Sequence, residues 1–239
     1  MRIERFEIAE RFRGPPRSGN GGYTSGRIAK YLQGTAAVRL MAPPPLSTEL
    51  RLEYTDDEAR LFHDTTLLGE GKHAQLDLQV PLSPTFEEAE ECARSFVGFK
   101  THDFPGCFVC GPERKPDDGL RIFPGSVDGS STIAAPWTPD KSLVDEMGTV
   151  KSEFLWSALD CVAAFAVLPV TEGVGIVLGE FCTSILGDVR SGERCVVIGW
   201  PLGVERRKRF AGSAIYAPNG RKVAIARSVF IEVPLSRWR

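Results

Sequence analysis

From Phe154 to Val170 the chain is apolar at almost every position, and Asp160 is the only charged residue in the stretch. A run of this length predicts one long helix over about 150–168. After it come apolar-rich segments separated by turn residues: GIVLGEFCTSIL, ERCVVIGWPLGV, RRKRFAGSAIYA and KVAIARSVFIEV read as consecutive strands. Before it, GLRIFPGSV and SSTIAAPW have the same strand-like character. The N-terminal part follows the same grammar. A strand-like IERFEIAERF leads through the turn-rich GPPRSGNGG into a helix over 23–33, and VRLMAPPPLSTELRLEY, EARLFHDTTLLG and KHAQLDLQV follow. Strand, helix, then several strands, twice over, is an internal repeat.

The punctuation is consistent with that repeat. Leu46-Ser47-Thr48-Glu49 and Val189-Arg190-Ser191-Gly192-Glu193 both read as turns before a strand. Glu70-Gly71-Lys72 is expected to open the last strand of the first half, as Asn219-Gly220-Arg221 opens that of the second. Val-Pro-Leu-Ser stands at 80–83 and again at 233–236, closing each half. Between the halves, PTFEEAEECARSF reads as an amphipathic helix with acidic residues early and Arg94 late, as the helix dipole favours. An apolar helix followed by antiparallel strands buries itself best when the sheet curls round it. Two such units can join their sheets edge to edge and set their helices side by side. The expectation is therefore a duplicated α+β fold, with one repeat at 1–82, a connecting segment at 83–103 and a second repeat at 104–239.

Composition narrows the function. With 29 basic and 31 acidic residues among 239, the chain has no overall field that would attract nucleic acid or an anionic membrane. The N-terminus lacks the apolar core of a secretory signal, and the longest apolar run is too short and too polar to span a bilayer, so a cytoplasmic protein is expected. Six cysteines without a signal sequence read as reduced thiols, with Cys161, Cys182 and Cys195 in the core. Cys107 and Cys110 have the spacing of metal ligands. With no second such pair in the chain, no metal is expected, and His102 reads as part of the connecting segment.

Asp160 is the first candidate for chemistry. An ionised carboxylate in a buried helix loses its hydration, so it must find partners, hold a proton, or serve a reaction; pointing to solvent or capping a neighbouring backbone are the bland alternatives. Asn20-Gly21-Gly22 opens the first helix, where free N–H groups and the dipole favour negative charge, though a flexible turn with an Asn cap explains the same residues. Glu153 is a second acid, equally explained as a dipole-favoured first-turn residue. No phosphate-binding GK[ST] loop and no GxSxG elbow is present, and His63, His73 and His102 form no visible triad.

Three places resemble the hotdog-fold acyl-CoA thioesterases, in particular phenylacetyl-CoA thioesterase-like proteins in fused double-hotdog form. The segment from Cys107-Phe-Val-Cys-Gly to Gly119-Leu120 resembles one that precedes the family's central helix. Asn20-Gly21-Gly22 resembles the His-Gly-Gly that begins that helix, and Leu159-Asp160 resembles the Leu-Asp about nine residues along it. The resemblance implies thioester hydrolysis with Asn20, Gly21 and Gly22 as the oxyanion side and Asp160 as base or nucleophile. The functions look divided between the halves: nine positions after Asn20 stands Ala29, and nine before Asp160 stands Lys151, followed by Ser152 and Glu153. One composite site would survive, with a degenerate counterpart at Lys151-Ser152-Glu153 facing Ala29. On this reading Tyr23, Glu153, Trp156 and Ser157 would contact substrate, with Phe165 also on the acyl tunnel, and Gly21 and Gly22 would let the thioester approach. Arg206, Arg207 and Lys208 would bind the phosphates of coenzyme A, unless they only protect a strand edge. Coenzyme A would enter as part of the substrate, with no further cofactor, and the protein would be a homo-oligomer. The alternatives are a non-catalytic acyl-CoA or acyl-chain binding protein, and a hotdog-type hydratase.

Overall fold

A computed structural model describes residues 1–237. The first half contains β1 (Arg2–Glu7), α1 (Gly21–Ala29), β2 (Thr35–Leu40), β3 (Glu49–Tyr54), β4 (Glu58–His63) and β5 (Thr66–His73). After α2 (Phe86–Arg94), the second half contains β6 (Gly125–Ser126), β7 (Ile133–Trp137), α3 (Ser152–Ala166), β8 (Val174–Ile185), β9 (Cys195–Glu205), β10 (Lys208–Tyr216) and β11 (Lys222–Pro234). All strands join one antiparallel sheet in the order β1-β3-β4-β5-β2-β8-β11-β10-β9-β7-β6. The five strands β1-β3-β4-β5-β2 and, read from the other edge, β7-β9-β10-β11-β8 follow the same path. The repeat is thus one of topology, and the halves meet edge to edge where β2 pairs with β8, Thr35 opposite Ser184 through Arg39 opposite Glu180.

Each half wraps its sheet round its own helix. From Phe154 to Ala163 every residue of α3 is buried, which explains a helix apolar on all sides. On β9, Cys195 and Val197 join the core containing α3, while Val196, Ile198 and Trp200 join a second cluster with Ala89 of α2. That strand is covered on both faces, hence its unbroken apolar run. The connecting segment is therefore part of the fold. A capping box between Thr85 and Glu88 starts α2 there, and its Ala89 seals the outer face of the second sheet.

Several boundaries differ from the sequence reading. Helix α1 starts at Gly21 rather than at residue 23, because the Asn20 side chain accepts the Tyr23 N–H at 2.9 Å and caps it. Glu70-Gly71-Lys72 lies inside β5, with Gly71 opposite Val38 and Ala59, and the turn falls at 63–66, where Asp64 has φ 51°. The glycines of that strand make room for α1: a Cβ on Gly69 or Gly71 would meet Ile28 at 2.9 and 3.0 Å. Residues 74–83 form no strand; Leu78 and Val80 instead pack against the cluster beneath α2. The two Val-Pro-Leu-Ser segments therefore do not correspond, since only the second closes a strand. Of GLRIFPGSV, only Gly125 and Ser126 pair as a strand.

Candidate active site

Helices α1 and α3 cross at very short range, and the crossing sets the site. A Cβ on Gly22 would lie 2.6 Å from Asp160 Cβ and 2.7 Å from the Trp156 carbonyl oxygen, and one on Gly26 would lie 2.5 Å from Glu153 Cα. The offset that carries Gly22 to Glu153 also carries Gly26 to Ser157, which lies against Gly22, so the two contacts are related by the pseudo-twofold of the repeat. At one end of this crossing the Gly22 N–H donates to Asp160 Oδ2 at 2.8 Å, and Asn20 Nδ2 donates to the same oxygen at 3.2 Å. Asn20 is thereby fixed from both sides, capping α1 through Oδ1 and holding the carboxylate through Nδ2. Burial pushes Asp160 up to about 7, against the opposing effect of the Gly22 N–H; neighbouring Cys107 adds to the rise and the Asn20 amide opposes it.

Asn20 and Asp160 open onto a cavity of about 1060 Å³, which Gly22 itself does not line. Asn20, Gly21, Asp160 and Cys161 form part of its wall, with Leu178 and Phe230 from β8 and β11. Phe104, Phe165 and the 40–44 and 168–174 segments supply more apolar surface. Of the other expected substrate contacts, Tyr23, Glu153, Trp156 and Ser157 do not line it. Tyr23 stacks on Phe12 with ring centroids 4.3 Å apart, inside an aromatic cluster with Phe108 and Phe154. Trp156 packs edge-on against Phe181, Ser157 donates to the Glu153 carbonyl at 2.6 Å, and Glu153 sits against Gly26. The reason is common to all three: the stripe they share with Asp160 is covered by α1 over its first two turns, and only its later residues, Asp160 and Ala164, emerge. Phe165 does line the cavity.

The glycines also serve a different purpose from the expected one. The Cβ that Gly22 lacks would strike α3, and that of Gly21 would meet Leu178 at 2.9 Å, so both make room for packing rather than for a thioester. Arg206 and Arg207 form the exposed β9–β10 turn and Lys208 begins β10; none of them reaches the cavity wall. At the reciprocal position neither Lys151, Ser152, Glu153 nor Ala29 lines it.

Three cysteines converge beside Asp160, a meeting that spacing along the chain does not record. Cys107 and Cys110, on a loop bound to the first half by the Phe108 N–H donating to the Arg13 carbonyl at 2.8 Å, meet Cys161 of α3. Cys107 and Cys161 sulfurs are 3.7 Å apart. Hydrogen bonds from the Cys110 and Cys161 thiols hold Cys107 well below the ordinary thiol value; burial drives Cys110 up, and the bond to Cys107 does the same to Cys161. His102 also stands on the cavity wall, its pKa lowered by burial, with Nδ1 accepting the Phe104 N–H at 3.0 Å. One available signal was position: Cys161 follows Asp160 on the same helix.

No family model matches this chain, and no curated protein resembles it in sequence. Solved structures do resemble it in fold along nearly its whole length. A hot dog-fold protein from Alicyclobacillus acidocaldarius aligns with TM-score 0.63 at 11% identity, covering 97% of this chain and 93% of its own. The tesB protein of Mycobacterium avium subsp. paratuberculosis aligns with TM-score 0.62 at 11% identity over the same shares. A candidate thioesterase II from Thermobifida fusca gives 0.59 at 12% identity, covering 98% and 93%. The fold is thus a double hotdog, two α+β repeats in which an antiparallel sheet wraps a central helix.

Proposed function

We propose that the protein is an acyl-CoA thioesterase working at a single composite site, with Asn20, Gly21 and Gly22 from the first repeat and Asp160 from the second. The observation that carries this reading is the 2.8 Å bond from the Gly22 N–H to Asp160 Oδ2, with Asp160 on the wall of a large apolar cavity and Gly22 buried directly behind it. It sets an amide donor and a carboxylate within reach of one substrate carbonyl. The thioesterase name of one full-length fold neighbour, the Thermobifida fusca protein, agrees with it.

As a thioester enters, its carbonyl oxygen takes the Gly22 N–H at the positive end of α1, displacing the carboxylate from its strongest lowering partner. Asp160, already poised near neutrality, becomes more basic at that moment. It removes a proton from water as the water oxygen bonds to the thioester carbon and the carbonyl electrons move onto oxygen. Collapse of this tetrahedral adduct breaks the carbon–sulfur bond, the thiolate leaves as coenzyme A, and Asp160 returns its proton to the sulfur. Asn20 keeps the carboxylate and the helix start in register throughout.

Thiol release from a panel of acyl-CoAs is the test. Turnover of at least one member supports the reading. Tight binding without turnover would assign the cavity to acyl-thioester carriage, and conversion of an enoyl-CoA without thiol release would assign it to hydration. No helix among the described residues is long and apolar enough to cross a membrane. The same reading extends to a cytoplasmic enzyme that assembles with copies of itself; a monomer in sedimentation velocity at micromolar concentration would contradict the assembly.

A further inference from the structure

The three buried cysteines beside Asp160 have a geometry that neither core packing nor the proposed hydrolysis uses. All three sulfurs lie within 4.8 Å of one another, and the Cys107–Cys161 separation is 3.7 Å. Zinc–thiolate bonds of about 2.3 Å in a tetrahedron put sulfurs roughly 3.8 Å apart. Core cysteines have no reason to converge in this way, and a disulfide between any two would leave the third unpaired.

The Cys107–Cys110 loop is a tight turn. The Gly111 N–H closes it on the Cys107 carbonyl at 3.0 Å. The turn is so tight that a Cβ on Gly111 would lie 2.5 Å from the carbonyl oxygens of both Cys107 and Pro105. Asn20 adds a side-chain donor, its Nδ2 lying 3.9 Å from the Cys107 and Cys161 sulfurs. We infer that Cys107, Cys110 and Cys161 bind one thiophilic divalent cation, zinc by chemistry, through three thiolates with the fourth position open to the cavity they line. This departs from the expectation of no metal, which rested on the lack of a second CxxC; the third sulfur comes instead from a distant helix.

Each thiol gives up its proton on ligation, and three thiolates on a divalent ion leave a single negative charge, toward which the Asn20 amide is turned. His102 is not the fourth ligand, because its Nδ1 accepts the Phe104 N–H and its Nε2 therefore carries the proton. The ion joins the loop docked on the first repeat to the helix of the second, immediately beside Asn20 and Asp160. It is a clasp across the same junction as the proposed active site, but it does not depend on that proposal.

The test uses the full chain, reduced and stripped of metal by a chelator, and titrated with cobalt(II) alone. The expected result is one equivalent bound, with the intense absorption of tetrahedral cobalt and a thiolate-to-cobalt charge-transfer band, both abolished by one equivalent of zinc. Cys161→Ala and Cys110→Ser are expected to lose the charge-transfer intensity and stoichiometric binding. Cys195→Ser, in the buried core of β9, is expected to keep both. Zinc content of the purified wild type, by elemental analysis, decides the matter even if the variants fail to fold: near one equivalent supports the site. Absence of cobalt binding, an unchanged spectrum in Cys161→Ala, or an intact mass lower by two hydrogens from a Cys107–Cys161 disulfide would each overturn it. Metal content is read without substrate, so this site and the thioesterase activity stand or fall separately.

Discussion

Asp160 binds its proton more tightly in the folded chain than in the unfolded one, about 7 against an ordinary value near 3.9. Between those values the unfolded state has released a proton that the native state retains, so this residue makes stability fall as pH rises from about 4 to about 7, with no further change above. Asp160→Asn removes the effect. In urea unfolding at about pH 5 and about pH 8, the variant is expected to gain on the wild type with rising pH, by about 2–3 kcal/mol. A wild type that instead gains on the variant over that interval would show that the carboxylate is better stabilised in the fold than its burial implies. Asp160 was legible in the sequence as an isolated charge in an apolar helix. Its sulfur neighbours were not, because Cys107 and Cys110 reach it through a loop whose path depends on contacts with Arg13 and no local pattern records those.

Among the elements, the α1–α3 crossing has the least tolerance. Gly22→Ala brings a methyl group against Asp160 Cβ and the Trp156 carbonyl, and neither backbone has room to yield without separating the helices. A loss of about 1–3 kcal/mol in denaturant unfolding is expected, together with loss of thiol release. An unaffected melt would mean that the helices do not approach as closely as described. The crossing also marks what pattern reading can and cannot reach. The Asn-Gly-Gly start and the two apolar helices were visible, and so was their register. Glycines that make way for a neighbour look the same in sequence as glycines that turn the chain, which is why Glu70-Gly71-Lys72 read as a turn when Ile28 of α1 explains it as a strand. The same ambiguity made Gly21 and Gly22 look like an opening for substrate. Trp156, Ser157 and Glu153 lie off the cavity for a related reason: helical periodicity gives the face they share with Asp160 but not where the partner helix covers it.

On the scale of the whole molecule, the proposed site draws on both repeats. The strand paths of the two halves superpose in order, and the repeat was readable because strand, helix and strands recur with similar spacing. The extra covering helix α2 breaks the symmetry by sealing one sheet face only, a feature recorded in sequence as an amphipathic linker but not as a layer. Across the junction, the first repeat supplies a capped helix start and the second a buried acid. The opposite corner, at Lys151-Ser152-Glu153 and Ala29, contributes nothing to the cavity wall. A site shared between halves makes its two contributions interdependent. The most direct measurement is therefore a double-mutant cycle on kcat/KM for thiol release, using Asn20→Ala from one repeat and Asp160→Asn from the other. Asp160→Asn is expected to lose about 10²–10⁴-fold, and adding Asn20→Ala to lose little more, because the amide acts through the carboxylate it holds. Full activity in Asp160→Asn, or losses that simply multiply in the double variant, would contradict a single composite site.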